Sequence, residues 1–239
     1  MPNPVEASAG FVWRQEAGEW YASVQRRNWG PGWTGSLILD GAAPPLAAIG
    51  WRRPQPLASS SPWWQWLGPW TADFFVGQLA GHQQPERPAL IGMRLQLQPV
   101  DGLQLGLSRT LQWGGRGRDE SARSLLHGLL GMDNKGTSGI TTENEPGNQL
   151  GGFDWRWQWP GERGYAFYGQ LIGEDENGYL PSAYIVQAGL EARAVLAGAD
   201  AIDFRVRHFL QEQRLPGEID RILAAEHRFG QACEARELG

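Results

Sequence analysis

The chain has 239 residues, including 13 tryptophans, 33 glycines and one cysteine, and its formal net charge is −5. This acidic balance argues against nucleic acid as a partner, because phosphates require a basic face. One cysteine excludes an internal disulfide and a cysteine-based zinc site, and we expect neither a metal nor a cofactor. No apolar stretch approaches the length of a transmembrane helix. Membrane-crossing strands, however, face lipid with only every second residue and escape hydropathy scans.

In chain order, the predicted elements are an N-terminal segment over residues 1–17 and then about eight β-strands between residues 18 and 196. The first five residues lack the basic and apolar regions of a secretion signal. The predicted strands cover residues 19–27, 46–53, 64–79, 92–98, 103–113, 153–159, 165–171 and 183–195. Several of them reach about ten residues, which suits a tilted membrane crossing better than a soluble sandwich.

The strand predicted over Leu103–Trp113 shows the clearest alternation. Its odd positions are apolar except for Arg109, and its even positions are small or polar, which is a period of two with no helical alternative. Pro99 to Gly102 precede it, and Asp-Gly after proline is a hairpin signal. A second predicted hairpin turns at residues 160–164.

The predicted connections differ between the two ends of the sheet. One end has short turns at 54–62, 99–102 and 160–164, and the other has loops at 28–35, 81–87, 114–148 and 175–182. Long loops at one end only, with aromatic residues at strand ends, are typical of outer-membrane barrels. A soluble β-sandwich or lipocalin-like barrel predicts the same alternation, so periodicity alone leaves both folds open.

Several motifs along the long-loop side have a recognisable order. They are Trp29–Trp33 (WGPGW), Trp66–Thr71 (WLGPWT), Gly106–Thr110 (GLSRT) and Glu143–Gln149 (ENEPGNQ). With these motifs the sequence from about residue 18 to 191 resembles the capsule assembly Wzi family. The resemblance implies a transmembrane antiparallel up-and-down β-barrel in the bacterial outer membrane, acting as a monomeric lectin and not as an enzyme. Its implied partners are capsular or extracellular polysaccharide and outer-membrane lipid.

Family members are about twice as long, with a barrel of about 18 strands. The strands of this chain therefore correspond to roughly half of such a barrel, and we interpret the chain as a fragment or truncated form. Residues 197–239 diverge from the family. Their apolar residues Phe204, Phe209, Ile219 and Ile222 stand at near-helical spacing, which predicts a short helical C-terminal tail.

The candidate polysaccharide-binding residues are aromatic rings that stack on sugars and charged or amide groups that bind hydroxyls and carboxylates. They are Trp29, Trp33, Trp113, Arg116, Arg118, Asp133, Asn134, Glu143, Asn144, Glu145, Asn148, Asp154, Glu174 and Asp175. The leucines at 125, 126, 129 and 130 predict a short helix that packs inward and helps to plug the lumen. Two other functions stay open, namely a pore for small solutes and a soluble β-barrel that binds a small ligand.

Overall fold

A computed structural model describes residues 7–32, 35–79, 86–118, 120–130, 149–159, 164–177, 180–195 and 201–213. Within these ranges ten strands form one antiparallel sheet in which every strand pairs with its neighbour in sequence. The strands are β1 (Ala7–Gln15), β2 (Gly18–Gln25), β3 (Leu46–Leu57), β4 (Trp70–Gln78), β5 (Ala89–Val100), β6 (Leu103–Trp113), β7 (Gln149–Gln158), β8 (Tyr165–Asn177), β9 (Leu180–Val195) and β10 (Ala201–Gln213). Helix α1 covers Ala122–Leu130, and a short 3-10 helix covers Gln65–Leu67.

The all-β, up-and-down topology confirms the prediction from alternation. Strand β6 has the predicted bounds, Leu103–Trp113. It pairs with β5 through a turn in which Val100 lies opposite Leu103. Gly102 in that turn has a φ of 81°, a left-handed conformation that glycine adopts without strain. Asp-Gly was therefore a reliable hairpin signal.

The strand number was predicted wrongly, and residues 201–213 of the predicted helical tail form a strand. Ten strands are present in the described ranges where about eight were expected, because β1 and β10 were missed. Strand β10 pairs with β9 along its whole length, from Ala201 opposite Val195 to Gln213 opposite Ala183. Its sequence does alternate, since apolar Ile202, Phe204 and Val206 stand between charged residues. Residues 214–239 lie outside the described ranges, so the rest of the predicted tail stays a prediction.

The connections at the two ends of the sheet differ in length, as predicted, but two of them are not as the sequence predicts. Residues 16–17, 58–69, 101–102, 159–164 and 196–200 connect strands at one end; 26–45, 79–88, 114–148 and 178–179 connect them at the other, which we call the long-loop end. The predicted short turn at 54–62 is instead the longer connection 58–69, which contains the 3-10 helix. The predicted loop at 175–182 is mostly strand, because β8 and β9 pair as far as Asn177 and Leu180.

The register gives the sheet two chemically different faces. One row across β2 to β6 runs Tyr21, Gly50, Phe75, Gly92 and Thr110. We call this face, which includes the polar positions of β6, the inner face. The opposite outer face presents apolar side chains that are largely exposed: Ile49, Phe74, Leu107, Phe153 and Phe167. An exposed apolar surface of this extent indicates contact with lipid or with a partner.

The edges of the sheet are β1 and β10, which within the described residues pair only with β2 and β9. No helix in the described ranges is long and apolar enough to span a membrane.

Candidate functional site

The inner face carries a network of charged and hydroxyl groups near β2, β3 and β4. Arg52 Nε donates to Glu19 Oε1 at 2.5 Å, and the Tyr21 hydroxyl donates to Asp73 Oδ1 at 2.8 Å. Arg27 Nη2 donates to the Tyr21 hydroxyl at 3.3 Å, while its guanidinium lies 3.9 Å from the centroid of the Phe75 ring. Stacking on an aromatic face stabilises a desolvated cation, which explains how Arg27 is accommodated.

A second ion pair joins β5 to β7 on the same face. Arg94 Nη1 donates to Asp154 Oδ2 at 2.8 Å, and Arg94 Nη2 donates to Asp154 Oδ1 at 3.0 Å. The Arg94 and Asp154 side chains are only 6% and 7% exposed. Arg94 Nη1 also donates to the hydroxyl of Ser108, on the strand between them. This bidentate geometry fixes both side chains in one orientation.

The first loop at the long-loop end, residues 26–45, folds over the inner face. Its Trp29 ring packs edge-on against Phe75 with 5.4 Å between centroids. Gln170 on β8 holds the loop by hydrogen bonds to three of its residues. Its Nε2 donates to the Trp29 carbonyl oxygen at 2.8 Å and to Ser36 Oγ at 3.3 Å, and Leu37 N–H donates to its Oε1 at 2.9 Å. Gly92 lies beneath both rings, where any Cβ would collide with Phe75. The loop therefore covers the inner face between β4 and β8.

Some buried polar atoms in this loop and on the inner face beneath it lack hydrogen-bond partners. Arg27 Nε and Nη1 are buried without a partner, and so are both amide atoms of Gln187 on β9. Buried polar groups are usually satisfied, so such atoms are sites where a bound molecule or water would be stabilised. Sequence reasoning missed Arg27, Arg94, Gln170 and Gln187. The sequence signal for these residues is that they are polar and lie in strands or at strand ends. Alternation predicts which face of the sheet such a side chain is on, but it does not predict which residue the side chain contacts.

Three predicted site residues are engaged in contacts within the protein. Trp29 is buried, and Asp154 is paired with Arg94. Trp113 is half-buried and its Nε1 donates to Ser124 Oγ of α1 at 3.0 Å. Each therefore has a packing or pairing role in this structure, and sugar contact by these residues stays a prediction.

Two predicted arginines follow β6 in the 114–148 connection. The Arg116 side chain is 81% exposed, and its Nη1 lies 3.1 Å from Glu86 Oε2. Arg116 N–H also donates to the Glu86 carbonyl oxygen at 3.0 Å, and Arg118 N–H donates to Gly115 O at 3.0 Å. Backbone hydrogen bonds thus fix the start of this connection, while the Arg116 guanidinium faces solvent.

Most of the remaining predicted residues belong to the parts of the chain that the structure does not describe. Trp33, Asp133, Asn134, Glu143, Asn144, Glu145 and Asn148 lie outside the described residues. Glu174 and Asp175 lie in β8, where the Glu174 backbone pairs with Leu150. In the described part of the chain, no three histidine, cysteine or acidic side chains form a group that could hold a metal ion.

Helix α1 is present where a short helix was predicted, but on the opposite side of the sheet. Arg109 Nη2 donates to the Gly128 carbonyl oxygen at 2.9 Å, and Trp113 donates to Ser124. Arg109 and Trp113 share the face of Leu107, which is the outer face. The prediction that this helix plugs the lumen is therefore wrong, and it is loop 26–45 that covers the inner face.

Comparisons with known proteins agree with this architecture. The family described as capsule assembly protein Wzi matches residues 13–212. An uncharacterized 55.8 kDa protein in the cps region of Klebsiella pneumoniae is 40% identical over 180 residues, which are 74% of this chain and 34% of that protein. The structure of Wzi, described as an outer membrane protein involved in group 1 capsule assembly in Escherichia coli and a carbohydrate-binding β-barrel, matches with a TM-score of 0.70 and 31% identity. The match covers 85% of this chain and 42% of that one.

An up-and-down antiparallel sheet with an apolar outer face and a polar, loop-covered inner face defines a β-barrel wall of the outer-membrane type. The chain belongs to the capsule assembly protein Wzi family. The match extends beyond the predicted 18–191, from residue 13 to residue 212, and includes most of β10. The chain spans 34% of the curated relative and 42% of the solved structure that it matches.

Proposed function

We propose that this chain lies in the bacterial outer membrane and binds capsular or extracellular polysaccharide at its long-loop end, taking part in capsule assembly or attachment. It acts as a monomeric binding surface and not as an enzyme, and nucleic acid is not a partner. Family membership supports this function, together with the carbohydrate binding described for the structural relative. The observation that carries it is the two-faced sheet, because an apolar exposed outer face next to buried inner ion pairs suits lipid outside and water inside.

The covered inner face favours a binding surface over a solute pore. Loop 26–45 is anchored through Gln170 and Trp29, and an anchored loop over the lumen opposes free passage of solutes. The exposed outer apolar face equally opposes a soluble β-barrel.

Lipid contact predicts that a charge on the outer face is costly. Leu107→Arg is expected to lower the free energy of unfolding in lipid vesicles by about 2–4 kcal/mol, the cost of arginine near the bilayer midplane. Leu107 is 53% exposed in the structure, so a soluble protein would tolerate this change. Denaturant unfolding of the vesicle-inserted chain measures the difference. The matched control is Gln96→Arg, on the inner face of the neighbouring strand, for which little change is expected. Equal effects of the two variants would contradict lipid contact.

For polysaccharide binding we propose Arg116 as the leading contact, because its exposed guanidinium can pair with sugar carboxylates. Arg116→Ala is expected to weaken binding of an acidic capsular polysaccharide about tenfold or more, since a charge-assisted hydrogen bond contributes about 1.5–3 kcal/mol. Titration calorimetry of the full chain in detergent measures the affinity. Trp113, Arg118, Asp154 and the other predicted residues are secondary candidates.

Arg14 supplies a closely matched control for this test. Its side chain is 83% exposed and lies 3.2 Å from Glu19, much as Arg116 lies 3.1 Å from Glu86, but it stands at the short-turn end. Arg14→Ala should therefore leave binding unchanged. An equal loss in both variants would indicate nonspecific charge attraction, and no loss in Arg116→Ala would remove this arginine from the site.

A further inference from the structure

Helix α1 lies on the outer side of the barrel wall, at the long-loop end. Ser121 caps it, because Ser121 Oγ accepts a hydrogen bond from Ser124 N–H at 3.1 Å. The side of the helix that faces the sheet carries Ser124 and Gly128, which are both buried. Their small side chains let the helix approach β6 closely, and the bonds from Trp113 and Arg109 hold it there.

Burial along the outer face is consistent with this position. Leu111 is 0% exposed and Ile91 opposite it is also buried, although both belong to the outer face. Further along the same face, Leu107 and Phe153 are exposed. The outer face is thus buried near the long-loop end and exposed towards the middle of the strands.

The position of the helix also explains the single charge in the apolar row of β6. Arg109 donates one hydrogen bond to the Gly128 carbonyl of α1 and another to the side-chain oxygen of Gln149 at the start of β7, so its guanidinium is held between the helix and the neighbouring strand. A cation that is held in this way near the end of a membrane strand reaches the interface while its aliphatic stem stays on the apolar surface.

The opposite side of α1 is exposed and amphipathic. Leu126 is 54% exposed, and Arg123, one turn earlier on the same side, is exposed too. Below the helix, the outer face has a depression of about 670 Å³ whose lining includes Arg109, Met93, Leu107, Gly151 and Phe153. Arg109 lines this depression and also binds α1, so the helix and the bare apolar wall form one continuous surface.

We propose that α1 is an interfacial helix that rests in the outer leaflet of the outer membrane, with Leu126 among the acyl chains and Arg123 at the level of anionic headgroups. The proposal rests on the membrane location proposed above. Continuity with the lipid-facing wall supports it, and so does charge complementarity, because a leucine beside an arginine on the free side of a short helix suits a membrane interface. In this position the helix ties residues 120–130 to the membrane surface.

Site-directed spin labelling in phosphatidylethanolamine and phosphatidylglycerol vesicles tests this position. Replacing Cys233 by serine removes the only native thiol, and single cysteines are then introduced as Leu126→Cys, Leu107→Cys and Ala42→Cys. The label at residue 107 gives the accessibility expected on the lipid-facing wall. The label at residue 42, which is exposed in loop 26–45, gives the accessibility expected in water at the long-loop end of the sheet. Accessibility of the label to oxygen and to a water-soluble nickel chelate is measured for each.

The accessibility of the label at residue 126 is expected to resemble that at residue 107, with a nickel accessibility several-fold lower than at residue 42. Water-like accessibility at 126 with lipid-like accessibility at 107 would overturn the interfacial helix and leave the membrane location intact. Water-like values at both positions would overturn the membrane location itself. If Leu126→Cys does not insert, Arg123→Cys replaces it. At the level of the headgroups its nickel accessibility should lie between the values at residues 107 and 42, and a value equal to that at residue 42 would refute the proposal.

Discussion

Asp154→Leu is expected to lower the free energy of unfolding by about 3–5 kcal/mol, because it leaves the buried Arg94 guanidinium without its carboxylate. Both side chains are less than a tenth exposed, so water cannot replace the lost partner at low cost. Denaturant unfolding of the folded chain in detergent or vesicles measures the change.

A double-variant cycle isolates the pair. Arg94→Met alone should also destabilise the protein, while Arg94→Met with Asp154→Leu should be clearly more stable than either single variant, since neither charge is then left unpaired. Glu86→Gln breaks the exposed pair with Arg116 and is expected to change the free energy by less than about 1 kcal/mol. Strictly additive single variants would show that the two residues do not act as a pair.

Gln170→Leu is expected to release loop 26–45 from the inner face. The substitution removes the hydrogen bonds from this side chain to Trp29, Ser36 and Leu37. The Trp29 carbonyl still accepts from Ser36 Oγ, but the Leu37 amide is left unpaired, at about 1–3 kcal/mol for a desolvated donor. We expect a rise in conductance across planar bilayers and faster tryptic cleavage beside Arg27, which is buried in the native chain.

Two further variants make this second test specific. Gln158→Leu removes an exposed glutamine from β7 and should change neither conductance nor cleavage. Gln170→Glu keeps an acceptor for Leu37 N–H but loses the donor to Trp29, so an intermediate effect is expected. Unchanged conductance and cleavage in Gln170→Leu would mean that other contacts, such as Trp29 on Phe75, hold the loop without this side chain.

The regular strands were largely predictable because alternation is a local property. In a strand with one apolar face, the apolar side chains must repeat every two residues. The pattern over Leu103–Trp113 therefore predicted both the bounds of this strand and the face on which each side chain lies. The same rule applied to Ile202, Phe204 and Val206 predicts β10, although Phe209, Ile219 and Ile222 further along stand at a spacing that also fits a helix. Strand β1 was missed since small residues fill its first half and weaken the pattern.

The candidate site was much less predictable. Arg94 and Asp154 are 60 residues apart, and their contact depends on the registers of two successive strand pairs. Arg116 could be placed in a loop from the sequence, but its pairing with Glu86 could not, because the two residues come from different connections. Contacts of this kind arise only once the sheet is assembled.

The sequence by itself determined that the chain is a sheet with one apolar and one polar face, because side-chain direction in a strand follows from position alone. It also determined the hairpin at Gly102, since that turn needs a left-handed residue. Which segment covers which face was decided only by the tertiary structure. Loop 26–45 and helix α1 both carry apolar side chains, and either could have filled the lumen. Gln170 on the inner face and Arg109 on the outer face hold them on opposite sides, through hydrogen bonds between residues distant in sequence.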